Sequence, residues 1–197
     1  PSLHAALPIS SGRSCSVEQR GDSTVLRAHP ASEQHIEEVV AHLRLAGPLG
    51  GIIHLAPLDL TGLPWTVQNS PSQNAVACTS LFMLIRELDA DLCESGGIVA
   101  SVSALDGRHG NRAAHFNSVA AGAHGVVKAY AMEQSHLTCT ALDVHPELLA
   151  KPSELAHSIA VELLSTDSAV EVGLDRDGRR WRLVLFEEDL VGEQTSL

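Results

Sequence analysis

Gly96–Glu133 reads GGIVASVSALDGRHGNRAAHFNSVAAGAHGVVKAYAME, and this stretch decides the fold. Ile98–Val102 is an apolar, β-branched run of strand length. Asp106–Asn111 follows, with Gly107 and Gly110, and is turn-rich. From about Ala113 to Glu133 the chain is rich in Ala and Val, which predicts a long helix. Strand, loop and buried helix in that order make an α/β unit.

The segments before it fit the same class. Thr24–Ala28 (TVLRA) is a short strand broken by His29-Pro30. Ser32 is placed to cap a helix over about Glu33–Ala46, where Ile36, Val39, Val40 and Leu43 form one apolar face. Gly47-Pro48 stops it, and Leu49–Leu55 (LGGIIHL) reads as a fully buried strand of the parallel type. Asp59–Gln73, with Gly62, Pro64 and Pro71, is expected to be a surface loop, and Asn74–Leu88 the next helix. Past the central stretch, Thr138–Val144 is another buried strand. Pro152-Ser153 opens a helix to about Ser165, with Leu155, Ile159 and Leu163 on one face. Residues 169–174 and 180–186 alternate in character on either side of DRDGR, Asp175–Arg179, which predicts a hairpin. The expected fold is a three-layer α/β arrangement around a mainly parallel sheet.

Composition narrows the function classes. The 197 residues are 44% hydrophobic but only 3% aromatic, so the core must be built from Leu, Val, Ala and Ile. A net charge of −11 argues against nucleic acid or an anionic membrane surface as partner. No apolar run approaches about 18 residues, so no spanning helix is expected. Cys15, Cys78, Cys93 and Cys139 show no metal-ligand spacing and read as free, mostly buried thiols in a reducing cytoplasm. His109, His115 and His124 are the closest histidine group, but their spacing is not a ligand signature.

The central stretch, GGIIHLAPL and the EVGL…RRWRLVL ending together resemble a short-chain dehydrogenase/reductase. They most resemble the ketoreductase-like domains of type I polyketide and polyunsaturated fatty-acid synthases. The resemblance runs over about Val25–Phe186 and implies a Rossmann-like fold, NADP as cofactor and a β-ketoacyl thioester as substrate of the parent activity. It also implies neighbouring synthase domains and a carrier-bound acyl chain as partners. In the family a Ser ends the strand, and a Tyr-x-x-x-Lys pair follows on the helix. Ser103 matches the Ser, but Phe116 stands at the Tyr position and Ala120 at the Lys position. A phenol donates the proton in that chemistry and the ammonium lowers its pKa; Phe and Ala do neither. The only tyrosine is Tyr130, followed four residues on by Gln134. The family's helical Asn would fall near Thr79, five places beyond Asn74. The loop beside the cofactor corresponds to Leu55–Leu58, where Ala56 and Pro57 replace a glycine-containing turn.

No GxGxxG or Thr-Gly-Gly turn is present, and Gly47–Gly51 precedes a strand rather than following one. Matched to the family, the chain starts near the third strand, so its Rossmann-like sheet is expected to be incomplete in its N-terminal half. Thr24–Ala28 should then lie open or pair directly with Ile52–Leu55. Residues 1–16 are expected to be a non-native or disordered leader, because Pro1–Ser10 resembles translated adapter sequence and Ser11–Ser16 is polar and turn-like. The partial ketoreductase-like domain takes residues 17–187, and 188–197 form an acidic tail or linker. The resulting expectation is a degenerate, structural ketoreductase-like segment that binds no cofactor. One alternative is a stand-alone reductase using His115 as its acid. The other is a non-enzymatic Rossmann-like binding module, betrayed by a large exposed apolar patch.

Overall fold

The computed structural model describes residues 9–20, 23–112, 116–165, 167 and 169–184. Its main sheet has five strands in the order β4-β5-β6-β7-β8. These are β4 (Gly51–His54), β5 (Ile98–Ser103), β6 (Thr138–Val144), β7 (Glu171–Leu174) and β8 (Arg180–Arg182). The first four run parallel, and β8 closes antiparallel on β7 as the predicted hairpin. The register aligns Ile98 with both Gly51 and Thr138, and Ser103 with Asp143.

Helices cover both faces. α1 (Glu33–Ala46), α3 (Ser80–Ser95) and α4 (Gly122–Glu133) pack their apolar stripes with Val99 and Cys139 on one side. On the other side α5 (Pro152–Leu163) buries Leu155, Ile159 and Leu163 against Ala100, Val102, Leu142 and Val172. Alternate residues of β5 thus face opposite layers, as a strand covered on both faces requires. Ser32 caps α1 by accepting from the His35 N–H, and Ile36, Val39, Val40 and Leu43 are its buried face, as expected.

The N-terminal expectation needs correction. The strand predicted at Thr24–Ala28 is β3 (Ser23–Ala28), but it neither lies open nor pairs with Ile52–Leu55. It is the centre of a separate three-stranded sheet, order β1-β3-β2. β1 (Ile9–Ser11) is parallel to it and β2 (Ser16–Arg20) antiparallel, so residues from the expected leader supply its hydrogen bonds. Leu26 and Ala28 are buried in the cluster that includes α1, which anchors the small sheet to the domain. Only Arg13-Ser14 bends between the two outer strands. Residues 1–8 and 188–197 lie outside the described residues.

Three other segments differ. The strand expected to be fully buried at Leu49–Leu55 is β4, the edge of the main sheet, where only His54 is buried and Ile53 is 55% exposed, because no strand pairs with its outer side among the described residues. Part of the predicted loop 59–73 is helical: a 3₁₀ turn covers Ala56–Leu60, and helix begins at Ser70, where Pro71 is tolerated in the first turn. That short helix, α2 (Ser70–Asn74), continues through a wider π-type turn, Ala75–Thr79, into α3. Conversely, the long helix expected from residue 113 starts late. Asn117 accepts from the Val119 N–H and caps a 3₁₀ turn over Ser118–Ala121, and only then does α4 begin. Of the four free cysteines, only Cys139 is fully buried.

Candidate functional site

The carboxyl ends of β5 and β6 carry a cluster of buried polar residues. Ser103, the last residue of β5, is fully buried. Its hydroxyl donates to Asp143 Oδ1 on β6 at 3.4 Å. Asp143 also accepts backbone N–H groups from Leu105 at 2.7 Å, His109 at 2.8 Å and Asp106 at 3.3 Å. Burial pushes the Asp143 carboxyl above the ordinary carboxylate range, and those backbone donors oppose the shift. A second carboxylate completes the loop: Asp106 accepts the N–H groups of Arg108, Gly110 and Arg112 at 2.7 to 2.8 Å. Two aspartates therefore fix the loop after β5 through its backbone, and Ser103 is part of that fixing.

The positions matched to the proton donor and its cation are apolar and apart from this network. Phe116 precedes the Asn117 cap, so it lies outside α4, and its ring covers Gly110. Ala120 is 2% exposed within an apolar cluster with Leu60, Ala77 and Leu105. The helical one-turn relation that a Tyr-x-x-x-Lys pair needs is thus not formed at 116–120. His115 lies outside the described residues. Tyr130 is buried on α4, where its hydroxyl donates to Asp89 Oδ1 at 2.8 Å. Gln134 donates to the same oxygen, and burial beside that carboxylate drives the phenol pKa upward. Asn74 is exposed and hydrogen-bonds Thr79. The buried amides nearby are Gln73 and Asn117, joined at 3.0 Å.

Ala56 and Pro57 sit in the 3₁₀ turn after β4, with Pro57 buried. A cofactor laid across these strand ends would need an open, glycine-lined approach, a basic group at 120 and a free hydroxyl at 103. It would meet a proline turn, a buried methyl and a serine engaged by Asp143. These positions do not fit a dinucleotide.

His109 and His124, grouped in the sequence but set aside there for lacking a ligand spacing, come together as a pair. His109 and His124 meet edge to face with ring centroids 5.6 Å apart. Neither Nε2 atom has a hydrogen-bond partner among the described residues. His109 adopts φ 59° in the loop that Asp143 fixes. His124 is 5% exposed on α4, and burial, helped by the neighbouring His109, lowers its pKa from 6.5 to about 3. Below its ordinary pKa the unfolded chain takes up a proton that the folded state refuses. Stability should therefore fall as pH drops from 6.5 toward about 3, by about 1.4 kcal/mol per pH unit for one proton. His124→Leu is expected to flatten this acid limb by one proton, measured as urea midpoints across that range. An unchanged slope would mean that His124 is not the group responsible.

This α/β architecture, parallel with an antiparallel closing strand, is that of the Rossmann-like class. Comparison with solved structures narrows it to the short-chain dehydrogenase/reductase fold. A multidomain structure with adenylation, ketoreductase and pseudo-Asub parts from a keto acid-selecting NRPS module superposes with a TM-score of 0.73 at 15% identity. That match covers 92% of this chain, which spans 15% of that multidomain chain. An oxidoreductase of the short-chain family from Brucella ovis matches with a TM-score of 0.60 at 16% identity, over 83% of this chain and 84% of its own. A short-chain dehydrogenase/reductase from Serratia marcescens gives 0.59 at 16% identity, covering 83% and 80%. No protein-family model matches the chain, and no curated protein does. Among the described residues no helix is long and apolar enough to cross a membrane.

Proposed function

We propose that this chain is a ketoreductase-like domain of a polyketide or related fatty-acid synthase that performs no reduction itself. Its role is structural: a rigid α/β block between neighbouring catalytic domains of a cytoplasmic assembly line whose carrier-bound acyl chain is processed elsewhere. The parent activity, NADPH-dependent reduction of a β-ketoacyl thioester, needs a proton donor beside a cation. The observation that carries the reading is Ala120, buried in an apolar cluster where that cation would stand. The engagement of Ser103 by Asp143 supports it. Similarity to part of a multidomain NRPS module supports the assembly-line setting.

The test is NADPH oxidation in the presence of a β-ketoacyl thioester, with wild type and Ser103→Ala side by side. Both are expected to stay at the no-enzyme background. Wild-type turnover that Ser103→Ala lowers by about 10²-fold or more would show a working site and overturn the reading.

A further inference from the structure

An arginine-lined cleft lies where the loops after β5, β6 and β7 converge, at the carboxyl edge of the sheet. Its volume is about 430 Å³, within the range of small-ligand sites. Arg108, Arg112, Arg176 and Arg179 line it, which places four of the chain's 13 basic residues around one cleft of an acidic protein. Its carboxylates are mostly committed. Asp106 accepts the three backbone N–H groups described above. Asp175 accepts Asp177 N–H, Arg179 N–H, Trp181 Nε1–H and the Arg108 guanidinium. Arg108 is further held by stacking 3.6 Å over the Trp181 ring. The Arg112 guanidinium makes no ion pair among the described residues. Arg176 pairs with Glu147, and Arg179 with Asp177, only through well-exposed contacts that a ligand can replace cheaply. His145 also lines the cleft, and its Nδ1 accepts from Glu147 N–H, which leaves Nε2 as the protonated nitrogen.

The cleft has an apolar neighbour. A second cavity, about 450 Å³, is walled by Leu63, Trp65, Phe116 and Ala120, and Leu105 and Pro146 belong to both. Trp65 is 52% exposed and Phe116 41%, so this cavity offers apolar surface to a ligand rather than sealing it away. One compartment suits an anion bound by guanidinium forks, and the other suits a hydrocarbon chain.

We propose that the two compartments form one site for an anionic amphiphile: an alkyl or acyl chain in the Trp65–Phe116 cavity and a phosphate or carboxylate head on the arginines. The site is a binding site without chemistry, and it stands whether or not the domain belongs to a synthase.

Trp65 walls the apolar cavity, and Trp181 lies behind the cleft lining, stacked under Arg108 and donating to Asp175, so each compartment has a nearby reporter; the chain has only these two tryptophans. Trp65→Phe leaves Trp181 to report the head, and Trp181→Phe leaves Trp65 to report the tail. Octyl phosphate should change both emissions, each with the midpoint that calorimetry gives for the same variant. Inorganic phosphate should move only Trp181 and 1-octanol only Trp65. The ratio of octyl phosphate to octanoate affinity assigns the head. Arg112→Ala should weaken octyl phosphate roughly tenfold or more and leave octanol unchanged. No saturable binding of octyl phosphate or octanoate up to about 1 mM, binding indifferent to Arg112→Ala, or a response from one tryptophan alone would overturn the proposal.

Discussion

Ala120→Lys is expected to destabilise the protein by about 3–5 kcal/mol and to confer no reductase activity. Ala120 is 2% exposed, enclosed by Leu60, Ala77 and Leu105 in the 3₁₀ turn before α4. A lysine there must either carry an unpaired ammonium into an apolar cluster or displace the turn that seats it. Phe116→Tyr is the matched control. Phe116 is partly exposed, so an added hydroxyl can reach water at little cost. Urea denaturation of the two single variants and the double variant separates the effects. A double variant with an unshifted midpoint and NADPH-dependent turnover would mean that the site was merely missing two side chains. The expected result is that the backbone at 116–120 no longer has the geometry to use them.

Gly107→Ala should cost about 2–4 kcal/mol. Gly107 has φ +73°, and a Cβ built on it would lie 2.1 Å from the Leu174 carbonyl oxygen. The approach is mutual, because a Cβ on Gly173 would lie 2.1 Å from the Gly107 oxygen. The loop after β5 and strand β7 thus touch backbone to backbone, and that contact sets the floor between the loop and the sheet end. Gly178 isolates the conformational part of the effect. It has φ +74° with nothing within 4 Å of a built Cβ, so Gly178→Ala should cost only about 1 kcal/mol. Equal losses for the two variants would show that backbone strain alone, not the close approach, governs position 107.

The parallel core was legible because its two central strands are almost wholly buried and read as mainly apolar runs, Ile98–Val102 and Thr138–Val144, and because Ser32 marks the start of the helix that leads to β4. The small N-terminal sheet was not. ISS and SVEQR carry no apolar alternation, and β1 and β2 are strands because β3 offers them a ladder, a tertiary cause invisible in local pattern. The late start of α4 was hidden for a similar reason. Asn117 is a good cap, but its role depends on Gln73 and the Leu63 carbonyl, far away in sequence. The departure from the Tyr-x-x-x-Lys pattern at 116 and 120, beside the retained Ser103, was legible from residue identity alone. The aspartate network at the strand ends was harder to foresee. A lone aspartate inside the apolar strand TCTALDV was the available signal, since a buried carboxylate must have donors, and Asp143 finds them in the loop after β5. His124 was grouped with His109 in the sequence, but its spacing did not show that burial would leave its Nε2 without a hydrogen-bond partner among the described residues.

The most direct measurement is a fluorescence titration of NADPH with the wild-type chain, with tryptophan-to-nicotinamide energy transfer as readout. Pro57 in its buried turn, Ser103 held by Asp143 and Ala120 in its apolar cluster leave these strand ends without a seat for the dinucleotide. The expected trace is linear, with no saturable component up to about 1 mM NADPH. Saturable binding in the micromolar range, competed by NADP, would contradict the proposal that these positions serve a structural role.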